Sequence, residues 1–182
     1  FGTFLIPSKL AKPTTSAPVP TRDAEDVLSF YSDAYTSVIN FGWINAWTNA
    51  LYTEETIEGD KYLHYSDKQD WGWEFGVKEG YTDGVNTGVD CSAMEFLHVD
   101  VWGYEAGTIR VTPIYGGAGL TSNERYYAEI EVEAGKWNSV DVALADFVGT
   151  GDKHDFTTIH QFKFSNRSMI VAIDNVYFWK SA

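Results

Sequence analysis

The chain of 182 residues holds one cysteine, Cys91. No intramolecular disulfide can form, so the disulfide-stapled secreted mini-folds are excluded and stability must come from packing, with or without a metal. Cys91 itself reads as a small buried hydrophobe. Basic residues are scarce too: 13 Lys and Arg stand against 26 Asp and Glu, a formal charge of −13. Nucleic acid and anionic lipid headgroups are repelled by such a chain at long range, and neither is an expected partner. No stretch approaches the ~20 apolar residues of a membrane-spanning helix, so membrane insertion is not expected. Also missing are H-E-x-x-H, G-x-S-x-G, a phosphate-binding glycine loop and the E-x-D-x-x-E strand motif, so no hydrolytic machinery is announced by motif.

Aromatic residues are abundant: 7 Trp, 11 Tyr and 11 Phe make up 16% of the chain. That is more than a core of this size needs, so some rings are expected to face outward. Prolines are few and clustered. Four of the five, Pro7, Pro13, Pro18 and Pro20, precede residue 21. The stretch KPTTSAPVPT favours extended backbone over helix or sheet. Residues 1–21 therefore read as a linker or the tail of a preceding domain, and FGTFLIPSK within them as such a tail or as a strand docking back. A chain starting at Phe1 reads as a mature or excised fragment.

Residues 22–182 read as one domain in which the period is two. VLSFYS, TEETIEG, KYLHYS, WGWEFGV, EFLHVDVW, TIRVTPIY, YYAEIEVEA, KWNSVDVAL, HQFKFS, MIVAID and NVYFWK are β-branched and aromatic runs separated by Gly- and Asp-containing breaks such as Gly59 and Asp60. Many short strands with no convincing helix between them predict an all-β, antiparallel two-sheet β-sandwich of jelly-roll type. In YYAEIEVEA, Glu129, Glu131 and Glu133 share one face and Ala128, Ile130 and Val132 the other, as in a half-buried sheet.

Trp43 and Trp47 lie in FGWINAWTN, read as a loop in which indoles neighbour amides. WGWEF sets Trp71 and Trp73 on one strand face, flanked by glycines. Pyranose rings stack on indoles while their hydroxyls bond amides and carboxylates, so these four Trp are candidate sugar contacts. LHVDVW places His98, Asp100 and Trp102 on one face, and Leu97, Val99 and Val101 on the other. His98 and Asp100 are either polar ligand contacts or a hydrogen-bonded structural pair. Tyr115, beside a Gly-rich break, is a further candidate. The four histidines show no metal-ligand spacing.

The linker running into DVLSFYSDAYTSV, the strand FLHVDVW, the segment WNSVDVALADF and the ending IDNVYFWK together resemble the Bacteroidetes-type β-sandwich carbohydrate-binding modules appended to polysaccharide-degrading enzymes or surface glycan-binding proteins. The resemblance spans about residues 18–180. It implies a non-catalytic module that binds polysaccharide through exposed aromatics and targets a tethered domain to it, as an extracellular, secreted or outer-membrane-surface monomer. It also implies a structural Ca²⁺ where the first strand meets the last, with Asp174 as a ligand and Asp33 or Ser32 beside it. The alternative is a small jelly-roll polysaccharide lyase or glycoside hydrolase, for which His98 with Tyr115 is the one nominated pair. A structural or adhesion domain is a third possibility.

Overall fold

The structure, a computed structural model, describes residues 12–45, 52–65, 71–77, 88–115, 125–150, 156–165 and 170–182. The strands are β1 (Val27–Tyr31), β2 (Ile39–Asn45), β3 (Tyr52–Ile57), β4 (Asp60–Tyr65), β5 (Trp71–Val77), β6 (Phe96–Gly103), β7 (Gly107–Tyr115), β8 (Tyr126–Val132), β9 (Trp137–Ala143), β10 (Val148–Gly149), β11 (Ile159–Ser165) and β12 (Val171–Trp179). Helical turns among the described residues are confined to three short 3₁₀ segments, Ala24–Asp26, Leu144–Asp146 and Phe156–Thr158. One sheet runs β3-β4-β12-β6-β9, with β1 pairing to β12; the other runs β10-β8-β7-β11-β5-β2. All pairings between these strands are antiparallel, giving the two-sheet sandwich expected from the alternation.

Alternation explains the core. Leu97, Val99 and Val101 of β6 and Ile173, Val176 and Phe178 of β12 face Ile109 and Val111 of β7, Ile130 of β8, and Phe162 and Phe164 of β11. Burying each such side chain contributes roughly 1.5–3 kcal/mol. Phe30 of β1 joins the layers edge-on, its ring 5.1 Å from Phe162 and 5.6 Å from Phe178. Cys91 is buried in the same core. Along β8, Ala128, Ile130 and Val132 are buried while Glu129 and Glu131 are exposed.

Three differences from the sequence reading have physical causes. FGWIN belongs to strand β2, so Trp43 lies on a strand and not in a loop. Its polar Asn residues and Gly masked the alternation, and its register against β5 slips between Asn40 and Asn45. MIVAID and NVYFWK are halves of one strand, β12. Register slips between Asp174 and Tyr177, and Asn175 sits in the left-handed region at φ 48°. This bulge inserts a residue, so the inward set moves from Val171 and Ile173 to Val176 and Phe178. Strand β10 is too short to carry a pattern.

Finally, the proline-rich segment is docked, not free, from Lys12 on. Pro13 and Ala17 are buried. Trp137 Nε1 donates to Thr15 O at 2.8 Å, Asn175 Nδ2 to Pro18 O at 3.2 Å, Ser16 N to Glu58 Oε2 at 3.0 Å and the Tyr35 hydroxyl to Arg22 O at 2.9 Å. Lys12 pairs with Glu55 at 2.6 Å. Residues 12–22 thus strap the outer face of the β12-containing sheet.

Glu58 and Gly59 form the two-residue turn joining β3 to β4, both with positive φ (54° and 89°), and Ile57 pairs with Asp60 across it. A Cβ added at Gly59 meets nothing within 4 Å. Gly59→Ala therefore carries only backbone strain and is expected to lower stability by about 1 kcal/mol in urea unfolding. Gly88→Ala, where φ is 74° and a Cβ lands 2.6 Å from the Thr158 carbonyl carbon, is expected to cost more.

Candidate functional site

On the β12-containing sheet the faces alternate as read: Leu97, Val99 and Val101 point inward, and His98, Asp100 and Trp102 lie on the outer face. That outer face is nonetheless buried. Opposite these residues on β12 stand Tyr177, Asp174 and Ala172. His98 stacks on Tyr177 with centroids 4.6 Å apart and planes 16° apart. Its Nδ1 lies 2.8 Å from Asp141 Oδ1 and its Nε2 3.3 Å from Asp100 Oδ1. Ser139 Oγ also donates to Asp100 Oδ1. His98 and Asp100 thus form the hydrogen-bonded structural pair, beneath the strap, and Asp100 is fully inaccessible. Arg22 of the strap pairs with Asp141 at 3.1 Å and lies 3.2 Å over the Trp179 ring. Trp102 packs with Tyr62 and Ala172, with Trp137 against them.

At the bulge the same sheet gathers carboxylates. Asp174 faces Asp100 across the β12/β6 pair and shares a side-chain hydrogen bond with Asp60, at the start of β4. Asn175 is the hub. Its backbone N donates to Asp174 Oδ1 at 2.6 Å, its Nδ2 to Asp100 Oδ2 at 2.7 Å, and its Oδ1 accepts from Ser32 Oγ at 2.7 Å. Asp174 Oδ2 is buried and has no hydrogen-bond partner. Burial first, then the Asp60 and Asp100 charges, push the Asp174 carboxyl up to about 9 against the lowering pull of the Asn175 N–H. Asp33 Oδ2 accepts from Lys61 N at 3.0 Å, and a cavity of about 210 Å³ is lined by Val19, Pro20, Asp33, Ala34, Asp60 and Asn175. Ser32 is already committed to Asn175 and the Ala34 N–H. Asp60 is the participant that sequence reading missed. Its signal was the Gly59-Asp60 turn, read only as a chain break.

The opposite sheet is polar on its outer face. Because Val111, Phe162 and Phe164 point into the core, Arg110 and Lys163 alternate outward, while Thr112, in the same phase, is buried. Arg110 pairs with Glu129 at 2.9 Å and lies 4.2 Å over the Tyr127 ring. This sheet also carries the strands of Trp43 (β2), of Trp71 and Trp73 (β5), and of Tyr115 (β7). The Trp side chains lie outside the described residues, as does Trp47 altogether. Register pairs Trp73 with Phe162 and Trp71 with Phe164. Tyr115 is half-buried and packs against the main core. It stands on the sheet opposite to that of His98, so the pair nominated for a lyase or hydrolase is not assembled.

Burial works against a charged His98, but its hydrogen bonds to Asp100 and Asp141, and their charges, outweigh it and raise its pKa to about 9. The folded state therefore binds this proton more tightly than the unfolded chain, whose His titrates near ~6.5. The resulting stabilisation is complete below about pH 6.5 and is lost as pH rises to about 9. The melting temperature of the parent protein is expected to exceed that of His98→Gln most at pH 6, with the gap narrowing steadily up to pH 9.5.

No protein family matches the chain by sequence, and no curated protein does. By structure it is similar to a family 11 carbohydrate-binding module from Clostridium thermocellum, solved with a beta-1,3-1,4-mixed-linked tetrasaccharide. The TM-score is 0.56 at 14% identity, over 86% of this chain and 96% of that one. A family 30 carbohydrate-binding module gives a TM-score of 0.58 at 12% identity, over 85% and 99%. An exo-beta-agarase gives 0.52 at 15%, over 86% of this chain and 25% of the larger enzyme. The fold of this chain is thus the antiparallel β-sandwich of carbohydrate-binding modules.

Proposed function

We propose that the chain is a non-catalytic carbohydrate-binding module whose glycan lies on the outer face of the sheet β10-β8-β7-β11-β5-β2. The observation that carries this reading is the asymmetry of the two outer faces. The β12-containing sheet is closed by its strap, and the polar groups of His98 and Asp100 are spent on internal partners. The other sheet turns Arg110, Lys163 and Tyr127 outward. Hydroxyls of a sugar find donors and acceptors there, and Trp43 and Trp47 are the stacking residues of this reading. Arg110 is neutralised by Glu129, and the chain is strongly acidic, which favours neutral glycans. The sandwich fold shared with modules of families 11 and 30 supports the same reading. In it the protein is a Bacteroidetes-type module acting outside the cell and raising substrate concentration for a tethered enzyme.

A structural Ca²⁺ belongs to this proposal. Among the described residues no three His, Cys, Asp or Glu side chains converge as a ready cage. What fits a hard cation is the buried Asp174 oxygen without a partner, beside Asp60 and with Asp33 on the adjoining cavity. Asp174, Asp60 and Asp33 are the residues that would hold the ion, which would neutralise their mutual repulsion.

Affinity electrophoresis against a panel of neutral β-glucans, xylan and agarose checks the binding face. Trp43→Ala and Trp47→Ala are each expected to weaken retention roughly five- to tenfold, the worth of one stacked indole, while Trp102→Phe leaves it unchanged. Parent-like retention by both Ala variants would move the site elsewhere, and release of reducing ends would favour the enzyme alternative. Exhaustive chelation is expected to lower the melting temperature by several degrees, recovered on adding Ca²⁺. An unaltered melt removes the ion from the reading.

A further inference from the structure

We propose that the strap of residues 12–22 is a latch whose docking is coupled to cation binding at Asp174 and Asp60 through Asn175; this rests on the calcium reading above. Asn175 touches both partners. Its backbone N–H holds Asp174 Oδ1, while its Nδ2 is shared between Asp100 Oδ2 and the carbonyl of Pro18 in the strap. Its Oδ1 is held in turn by Ser32. The backbone that aims this side chain is left-handed, at φ 48°, and lies within the bulge beside Asp174. Val19 and Pro20 meanwhile wall the 210 Å³ cavity that contains Asp60 and Asp33. Val19 and Pro20, with Pro18, Thr21 and Arg22, also line a second cavity of about 260 Å³ over His98, Ser139 and Tyr177. Strap and carboxylates are therefore two sides of one small space.

The buried Asp174 Oδ2, without a partner, favours opening of the site, and the group that moves with it is the amide holding Pro18. A bound cation gives that oxygen its partner and sets Asn175, hence the strap. Linkage makes the coupling reciprocal: whatever loosens the strap weakens the cation by the same factor. With the strap set, Lys12 and Ser16 are held at Glu55 and Glu58. With it released, the tether lengthens by about ten residues of extended chain, widening the volume that a tethered domain searches.

The test uses the whole chain with a nitroxide on Val19→Cys. Val19 is 75% exposed, and the single native thiol, Cys91, is buried and unreactive. Terbium luminescence with Ca²⁺ competition reports the cation independently. Expected are a mobile label in chelator and an immobilised one in Ca²⁺, and, for Asn175→Gly, a label that stays mobile in both. Trp137→Phe, which frees Thr15 O far from the carboxylates, is expected to weaken Ca²⁺ roughly two- to fivefold, the scale of one hydrogen bond. If the cation binds but the label's mobility ignores it, or Trp137→Phe loosens the strap with unchanged affinity, the coupling is overturned and the calcium reading survives. If no cation binds, both fall.

Discussion

Strand β12 is buried on both faces over residues 171–178, and in its middle stand an aspartate and an asparagine. Polar groups so placed must be satisfied from within the protein or their burial costs several kcal/mol. Asn175 meets that constraint by taking a left-handed conformation, which asparagine tolerates better than most residues, and spending its amide on Asp100, Pro18 and Ser32. The bulge this creates shifts the inward-facing set by one position. Both halves of the strand can then feed the core, while Tyr177 and Trp179 turn outward to stack on His98 and Phe96. Of the Asp174 and Asn175 side chains, one atom is left out, Asp174 Oδ2.

The strap follows from the same constraint. An outer face carrying Tyr62, Trp102, Trp137, Tyr177 and Trp179 is too apolar to leave in water, and a proline-rich segment covers it at little entropic cost because its backbone is already restricted. Arg22 adds a charge for Asp141 and a cation over Trp179, and Trp137 and Asn175 hold carbonyls of a chain with few N–H groups of its own. A surplus of rings thus has two destinations. Part of it builds this second hydrophobic layer, so ring count alone overstates what is available for ligand. The two sheets end unequal: one shielded by its own chain, the other polar outside, with Arg110 and Glu129 balancing charge. A binding module needs such inequality, because a ligand must find one face that a strap of the chain's own does not cover.

Much of this was legible beforehand. Period-two runs such as LHVDVW and YYAEIEV declare their faces because alternation is local geometry, and the structure keeps those faces. FGWIN hid its strand because glycine and asparagine dilute the pattern, and the last strand read as two because its phase slips at Asn175. Chemistry marks the aromatic candidates and the family resemblance marks Asp174, but neither names their partners. Asp174 was singled out but Asp60 was not, since no spacing rule links a turn residue to a strand more than a hundred positions away. His98 and Asp100 carried two readings that only their neighbours could separate: Asp141, Ser139 and Tyr177 arrive from other strands.

By itself the sequence determined the all-β character, the inward sets of strands such as β6 and β8, the acidic charge and the absence of a disulfide, all properties of residues and their near neighbours along the chain. The tertiary structure decided which outer face is closed, which carboxylates meet and where the proline-rich segment goes. Those depend on contacts between distant residues, such as Pro18 with Asn175 and Thr15 with Trp137, whose free energy exists only once the sheets have formed.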